Sequence, residues 1–455
     1  MKEQRWLRII PVALIMYTIS YIDRTNVALG LDPKISSMMK DLFMDDKMKG
    51  HAAGIFFFGY ILLQIPGGYL ANRWSARKVI SIFLVLWGIC AVGCGLVTNF
   101  RQFEVMRFLL GVAESGVFPA TLVLLANWFP RTERARANAF WNLCQPLAVA
   151  GSAPLTGWIL EKWPSVSERI LNHQQFGLAT HIASLHNWQA MLIVEGALPF
   201  LWLPIWLYFI SDHPREAKWI SEPEKEYLEK TLQREAAALE TVERVPIWRA
   251  FLMPAVFVML PIYFLQNCAA YGCNTFLTEG LKGGGHSFTG FQTGILFALP
   301  YVLAVVVMIL NSWHSDKTNE RRAHVAAVYF MSGIALIASV LLKERSFWLS
   351  YAFLCFAIPG PFASLAPFWA IPSETMPRNV LGSVMGLVNA IGNVGGFLGP
   401  YFVGTMKKQT NGVTIPFSLL GLGLLAAGAL CFLLPKMRKQ EATASPSSVP
   451  AKSLP

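Results

Sequence analysis

Five charged residues, Asp23, Arg24, Arg107, Glu114 and Glu195, stand inside stretches that are otherwise apolar. A charge at the centre of a membrane-spanning helix costs about 2.5–3.5 kcal/mol on insertion scales, so each one calls for a partner or a task. Arg107 and Glu114 are two helical turns apart, about 10 Å along one face, and are expected to point into the same cavity. An arginine keeps its charge at any working pH and offers a planar fork that matches a carboxylate. Arg107 is therefore the first candidate to anchor an anion, with a structural ion pair as the alternative. Burial and a nearby guanidinium act in opposite senses on the protonation of Glu114, a combination that lets a group load and release a proton. Asp23 has the same character. Asp23 and Arg24 are adjacent and must face different directions on a helix, so the two serve either proton coupling through Asp23 or a pairing satisfied by neighbouring helices. Glu195, followed by Gly196 and Pro199 that can open its helix, reads as structural.

Uncharged polar residues inside the same stretches extend the candidate site. Gln145, Asn267, Tyr271, Asn274, Asn389 and Asn393 are amides or phenols able to bind hydroxyl groups of a polar ligand. The alternative for each is an interhelical hydrogen bond worth about 0.6 kcal/mol. The glycine-rich run 392–400 is not a phosphate loop, because no strand precedes it and it holds no lysine; it reads as close helix packing. The seven cysteines form no cluster with histidines and act as small hydrophobes, so neither a metal nor a cofactor is expected. The eight histidines fall mostly in loops, which leaves a membrane-embedded enzyme without a base or a metal cluster.

The elements that carry these residues are transmembrane helices. Only 14% of the 455 residues are charged and 54% are hydrophobic, whereas soluble domains carry about 25% charged residues. The apolar runs 80–97 and 417–435 do not alternate as barrel strands would, and each is close to the roughly 20 residues that a bilayer core requires. The fold class is all-α integral membrane. Spans are expected near 8–30, 51–72, 77–98, 102–128, 135–160 and 188–211, and again near 249–279, 289–313, 322–343, 347–372, 380–405 and 415–435. Twelve spans thus divide into two six-helix halves, 1–211 and 249–435. The linker at 212–248 carries Glu222, Lys225, Glu226, Glu229 and Lys230 at helical spacing, and the tail at 436–455 is a Ser- and Pro-containing stretch expected to be disordered. Lys and Arg in the connections favour the face bearing both termini by about two to one, which makes that face cytoplasmic. The same rule explains the net charge of +11 without nucleic acid. The first span shows no cleavage site and is read as uncleaved.

The halves echo each other. Gly68-Tyr-Leu-Ala-Asn72-Arg73-Trp-Ser-Ala-Arg77-Lys78 between spans 2 and 3 matches Ser312-Trp-His-Ser-Asp316-Lys317-Thr-Asn-Glu-Arg321-Arg322 between spans 8 and 9 in its order of polar residue, base and basic pair. Span 4 ends at Trp128-Phe-Pro130-Arg131 and span 10 at Pro372-Ser-Glu374-Thr-Met-Pro377-Arg378. Such pseudo-symmetry places a substrate site between the halves near the midplane.

These residues resemble the major facilitator superfamily. Tyr21-Ile-Asp23-Arg24-Thr-Asn26, Gln64-Ile-Pro66-Gly67-Gly68, the run from Arg107 through Glu114 to Pro119, and Trp128-Phe-Pro130 look like its anion:cation symporter branch. The resemblance implies a monomeric, multi-pass protein of the plasma (inner) membrane, working by alternating access on a small organic anion with protons as the coupling ion. It implies that Arg107 and Glu114 line the central cavity, that Asp23 and Glu114 couple protons, and that Gln145 and Asn389 touch substrate. Tyr21, Tyr60 and Trp369 follow, with Arg24, Tyr271, Asn274 and Asn393 completing the ligand set. Asn72, Arg73, Asp316 and Arg321 belong to gating loops, in which Asn72 replaces the usual acidic residue and weakens one charge clamp. Glu374 and Arg378 look like a gate latch. The expected function is import of a sugar acid such as an aldonate, aldarate or tartrate. The alternatives are import of phthalate- or hydroxyphenylacetate-like aromatic acids, with Trp369, Phe368, Tyr271 and Tyr60 stacking on the ring, and drug export, against which the two intramembrane arginines argue.

Overall fold

A computed structural model describes residues 3–173, 183–240, 246–281, 287–376 and 378–435, and the tail lies outside them. Among the described residues, eleven helices are long and apolar enough to cross a bilayer: Gln4–Gly30, Ala76–Gly95, Phe100–Trp128, Thr132–Asn172, Asn187–Phe209, Pro254–Gly280, Gly290–Thr318, Arg322–Leu341, Phe347–Pro372, Val380–Thr410 and Thr414–Cys431. The remaining span, the second in the chain, is a pair, Asp46–Leu62 and Gln64–Arg73, bent by 41°. The twelve spans fall where the apolar runs predict them, numbered here 1 to 12.

Proline chemistry explains where spans break. A proline lacks the N–H that would bond the carbonyl four residues earlier, and its ring crowds that carbonyl. Pro66, Pro119, Pro146, Pro199 and Pro361 each sit four residues beyond Leu62, Ser115, Asn142, Glu195 and Ala357, at which or within a residue of which helices end in spans 2, 4, 5, 6 and 10. Pro154, Pro261, Pro300 and Pro400 are carried inside helices that continue past them, although the one holding Pro261 kinks further on, at Phe276. The outside of the bundle presents large apolar side chains such as Ile82, Leu86 and Ile89 from span 3 and Val302, Val306 and Ile309 from span 8, the surface that lipid requires.

Two helix pairs, spans 2 with 11 and 5 with 8, make the seam between the halves. Along the second pair a Cβ on Gly157 would meet the Gly290 carbonyl at 2.2 Å, and one on Gly294 would meet the Ala153 carbonyl at 2.3 Å, so only glycine permits that approach. Charges finish the seam at the face opposite the termini. Asp46 pairs with Lys407 at 2.7 Å, Asp45 with Lys408 at 2.8 Å and Lys407 with Glu279 at 3.2 Å. The fully buried Lys49 lies 4.0 Å from Glu279 and over the Phe276 ring. Towards the other face the seam opens. Gly382 and Gly386 lie on the face of span 11 that carries Asn389 and Asn393, and a Cβ there meets nothing within 4 Å.

Pseudo-symmetry reaches individual bonds. Arg77, after the connection between spans 2 and 3, donates to the Leu207 carbonyl near the end of span 6; Arg322, after that between spans 8 and 9, donates to the Phe432 and Leu434 carbonyls just past span 12. The linker helix Glu222–Glu240 is fastened to the first half by Arg5, which bonds Glu224 at 2.5 Å and Glu133 at 2.6 Å.

Candidate substrate and proton site

Four of the five membrane charges converge on one short stretch of span 1. The Ser20 hydroxyl donates to Glu114 Oε2 at 2.7 Å, and Arg24 Nε donates to the same oxygen at 2.8 Å. Asp23 turns the other way, as adjacency on a helix demands, and its Oδ2 accepts the Trp87 indole N–H at 2.7 Å. Arg107 Nη1 donates at 2.9 Å to the Asp23 main-chain carbonyl, and its Nε reaches the Ala52 carbonyl at 3.5 Å. All four side chains are buried.

This geometry corrects the expectation for Arg107. Its guanidinium is taken up by carbonyls of spans 1 and 2 and by the face of Phe56, and it does not line the central cavity. Glu114 pairs not with Arg107, two turns away on its own helix, but with Arg24 of span 1. A side chain on a neighbouring helix at the same depth reaches the carboxylate more directly than one about 10 Å along the same helix. Arg24 is also ringed by aromatic faces: its guanidinium lies 4.3 Å from the Tyr60 centroid and 5.4–5.5 Å from those of Tyr17, Tyr21 and Phe56.

Beside this cage lies the cavity between the halves, with about 470 Å³ of empty space counting its mouth. Tyr21, Tyr60 and Gln145 line it from the first half; Tyr263, Gln266, Asn267, Tyr271, Asn389 and Asn393 line it from the second, with Phe362 and Leu365 as apolar wall. Neither a carboxylate nor a cation is among the lining residues. Two hydrogen bonds cross between the halves here, Tyr21 to Tyr271 at 3.1 Å between hydroxyls and Asn389 Nδ2 to Gln64 Oε1 at 3.0 Å. Asn393 donates to the Asn389 carbonyl and Gln145 to Asn142.

Two expected ligands sit elsewhere. Asn274 accepts the Tyr301 hydroxyl at 2.6 Å and, with Thr25, lines a smaller pocket on the far side of the Tyr21–Tyr271 pair. Trp369 stands behind the cavity wall, edge-on to Tyr263 at 5.0 Å. Tyr263 and Gln266 were not anticipated, although a signal existed: residues 263, 266, 267, 270, 271 and 274 recur at helical spacing and share one face of span 7. Gln266 is held from both ends, donating to the Pro361 carbonyl and accepting from the Tyr329 hydroxyl.

Among the gating residues, Asp316 pairs with Arg321 in the second loop. In the first, Asn72 and Arg73 are exposed, and an acid from elsewhere serves the next helix: Asp212 accepts the Arg77 N–H at 2.9 Å and the Ser75 hydroxyl, while Ser75 caps Lys78. The side chains of Glu374 and Arg378 lie outside those described.

Residues 13–400 match the family described as Major Facilitator Superfamily. The chain is 30% identical to a "Putative tartrate transporter" of Agrobacterium vitis, over 94% of this chain and 89% of that one. It is 28% identical to a "Quinolone resistance transporter" of Acinetobacter baumannii, over 95% of both chains. Among solved structures it resembles a bacterial homolog of the human lysosomal transporter Spinster, with a TM-score of 0.74 over 93% of this chain and 96% of that one at 17% identity.

Proposed function

The chain belongs to the Major Facilitator Superfamily, a family of transporters, and on that premise we propose that it is a proton-coupled importer of a small organic anion, a sugar acid of the aldonate, aldarate or tartrate kind. The observation that carries this reading is the Arg24–Glu114 pair behind Tyr21 and Tyr60: one cation beside an otherwise neutral cavity, held by a carboxylate that can give it up. A substrate carboxylate competes with Glu114 for the Arg24 fork, and Glu114, once released into a dry interior, binds a proton instead. Anion and proton thereby load together. Arg24 is the anchor in this reading. Arg107 holds the span 1 backbone beside it, and Asp23 is the second proton-coupling acid. Hydroxyl groups of the substrate meet Gln145, Asn267 and Asn389. With cytoplasmic termini, the opening beside Gly382 and Gly386 faces inward, and the charged seam at Lys407 closes the outside.

A second reading, import of aromatic carboxylates, draws on the four phenol rings and Phe362 in the wall; the relative named as a quinolone resistance transporter keeps drug export beside it. Proton uptake by proteoliposomes separates them, with aldonates, aldarates, tartrate and aromatic acids added one at a time without an imposed gradient. Alkalinisation outside on adding a sugar acid, abolished by Glu114→Gln, is the expected outcome. A response confined to aromatic acids selects the second reading, and silence across the panel removes proton-coupled anion import.

A further inference from the structure

Glu195 has no part in the transport scheme above, yet it is as buried as the residues that do, at 1% exposure. Its Oε1 accepts the Thr156 hydroxyl at 2.5 Å and its Oε2 accepts the Asn26 amide at 2.8 Å. Both partners are neutral, and among the described residues no cation pairs with it. A carboxylate ion in a dry interior without a counter-charge is too costly to keep, and such a group holds a proton instead. Thr156 suits either form, because a hydroxyl donates to a carboxylate and accepts from a carboxylic acid without moving.

The surroundings point the same way. Where side chains meet span 1 between Ser20 and Asn26, the buried acids Asp23, Glu114 and Glu195 outnumber the buried bases Arg24 and Arg107 by one; the first half also buries Arg5, Asp32 and Lys49. Asp23 on span 1 is the titratable group that faces Glu195; Glu114 and Arg107 of span 4 face Asp23 in turn, Asp23 acts on the Cys94 thiol of span 3, and Thr156 is what span 5 brings. The contacts of Glu114, Asp23 and Glu195 climb span 1 from Ser20 to Asn26, a rise of about 9 Å, and Glu195 stands furthest from the termini. Asn26 lies where span 1 is interrupted, and Glu195 lies one residue before the end of the first helix of span 6. The carboxyl group therefore ties two helix breaks together.

We propose that Glu195, clamped by Thr156 and Asn26 where spans 1 and 6 break, is a third proton-binding residue, the outermost of a stack with Asp23 and Glu114. The step is a carboxylate taking one proton from water at the face opposite the termini and returning it, with no other reactant. The consequence for transport rests on the proton-coupled reading; the protonation itself does not. Infrared spectra of the purified protein, followed with pH, test it directly. At neutral pH a carbonyl band of a neutral carboxylic acid is expected, missing from Glu195→Gln, kept in Glu114→Gln and moved in frequency by Thr156→Val. Superimposable wild-type and Glu195→Gln spectra overturn the proposal; should Glu195→Gln not fold, an unmoved band in Thr156→Val does so. In proteoliposomes the proton-to-anion ratio falls by one in Glu195→Gln, and an unchanged ratio overturns the transport consequence. A Glu195 band in a protein that moves no protons with its anion would leave this inference standing and remove the symport reading.

Discussion

Replacing Arg24 by Gln separates anchoring from packing. In the structure Arg24 meets Glu114 at 2.8 Å with both side chains almost wholly out of solvent, and removing one partner of such a pair costs about 3–5 kcal/mol because the other charge is stranded. If Arg24 also binds the substrate carboxylate, a charge-assisted hydrogen bond of about 1.5–3 kcal/mol is lost from binding, which is about 10- to 150-fold in Kd. The double variant Arg24→Gln/Glu114→Gln removes both charges and should recover most of the stability, since two amides can bond each other, while affinity stays low. Arg107→Gln should instead cost about 1–3 kcal/mol of stability by leaving two carbonyls without a donor, with affinity in the folded protein changed less than about threefold. Thermal unfolding in detergent reads the first quantity and isothermal titration with the sugar acid found by the proton-uptake assay reads the second. Wild-type affinity in Arg24→Gln, or a double variant as unstable as the single, would refute the reasoning.

Asp46→Lys should loosen the closed face by setting two ammonium groups together, and adding Lys407→Asp should restore it; spin-label distances between spans 2 and 11 at that face check both. Gly157→Leu should drive spans 5 and 8 apart, because its Cβ starts 2.2 Å from the Gly290 carbonyl, and the same distances measured between those spans should lengthen. Asp212→Ala removes the carboxylate that holds the Arg77 N–H at the start of span 3 and should lower stability by about 1 kcal/mol in thermal unfolding, with Asn72→Asp giving no rescue. Gly386→Cys should react with a maleimide supplied from the face of the termini, because its position opens to empty space; protection there would contradict an opening on that side.

Span number, span position and the opening of span 6 were legible because each follows from a local rule. Apolar length identifies a membrane helix, and a proline withdraws a hydrogen bond at a fixed offset, as Pro199 does for span 6; yet Pro119 breaks span 4 while Pro300 is carried inside span 8, so residue type alone did not place the other breaks. Residue type also singled out Asp23, Arg24, Arg107, Glu114 and Glu195, since a charge in hydrocarbon is conspicuous wherever it sits. The polar face of span 7 was only partly legible: Asn267, Tyr271 and Asn274 stood out, while Tyr263 and Gln266 needed the helical periodicity to be followed back one further turn.

Partner choice was decided by the tertiary structure. Spacing along span 4 put Arg107 and Glu114 on one face, but depth and rotation relative to span 1 gave Glu114 to Arg24 and gave Arg107 to the main chain of Asp23. The same holds for Asp212, which reaches the start of span 3 from 135 residues away, and for Glu195, whose two donors come from two other spans. A sequence states which groups are too polar to lie in lipid unsatisfied. Which of them meet depends on how each helix is turned and at what depth it crosses its neighbour, and those are properties of the packed bundle that no single helix carries.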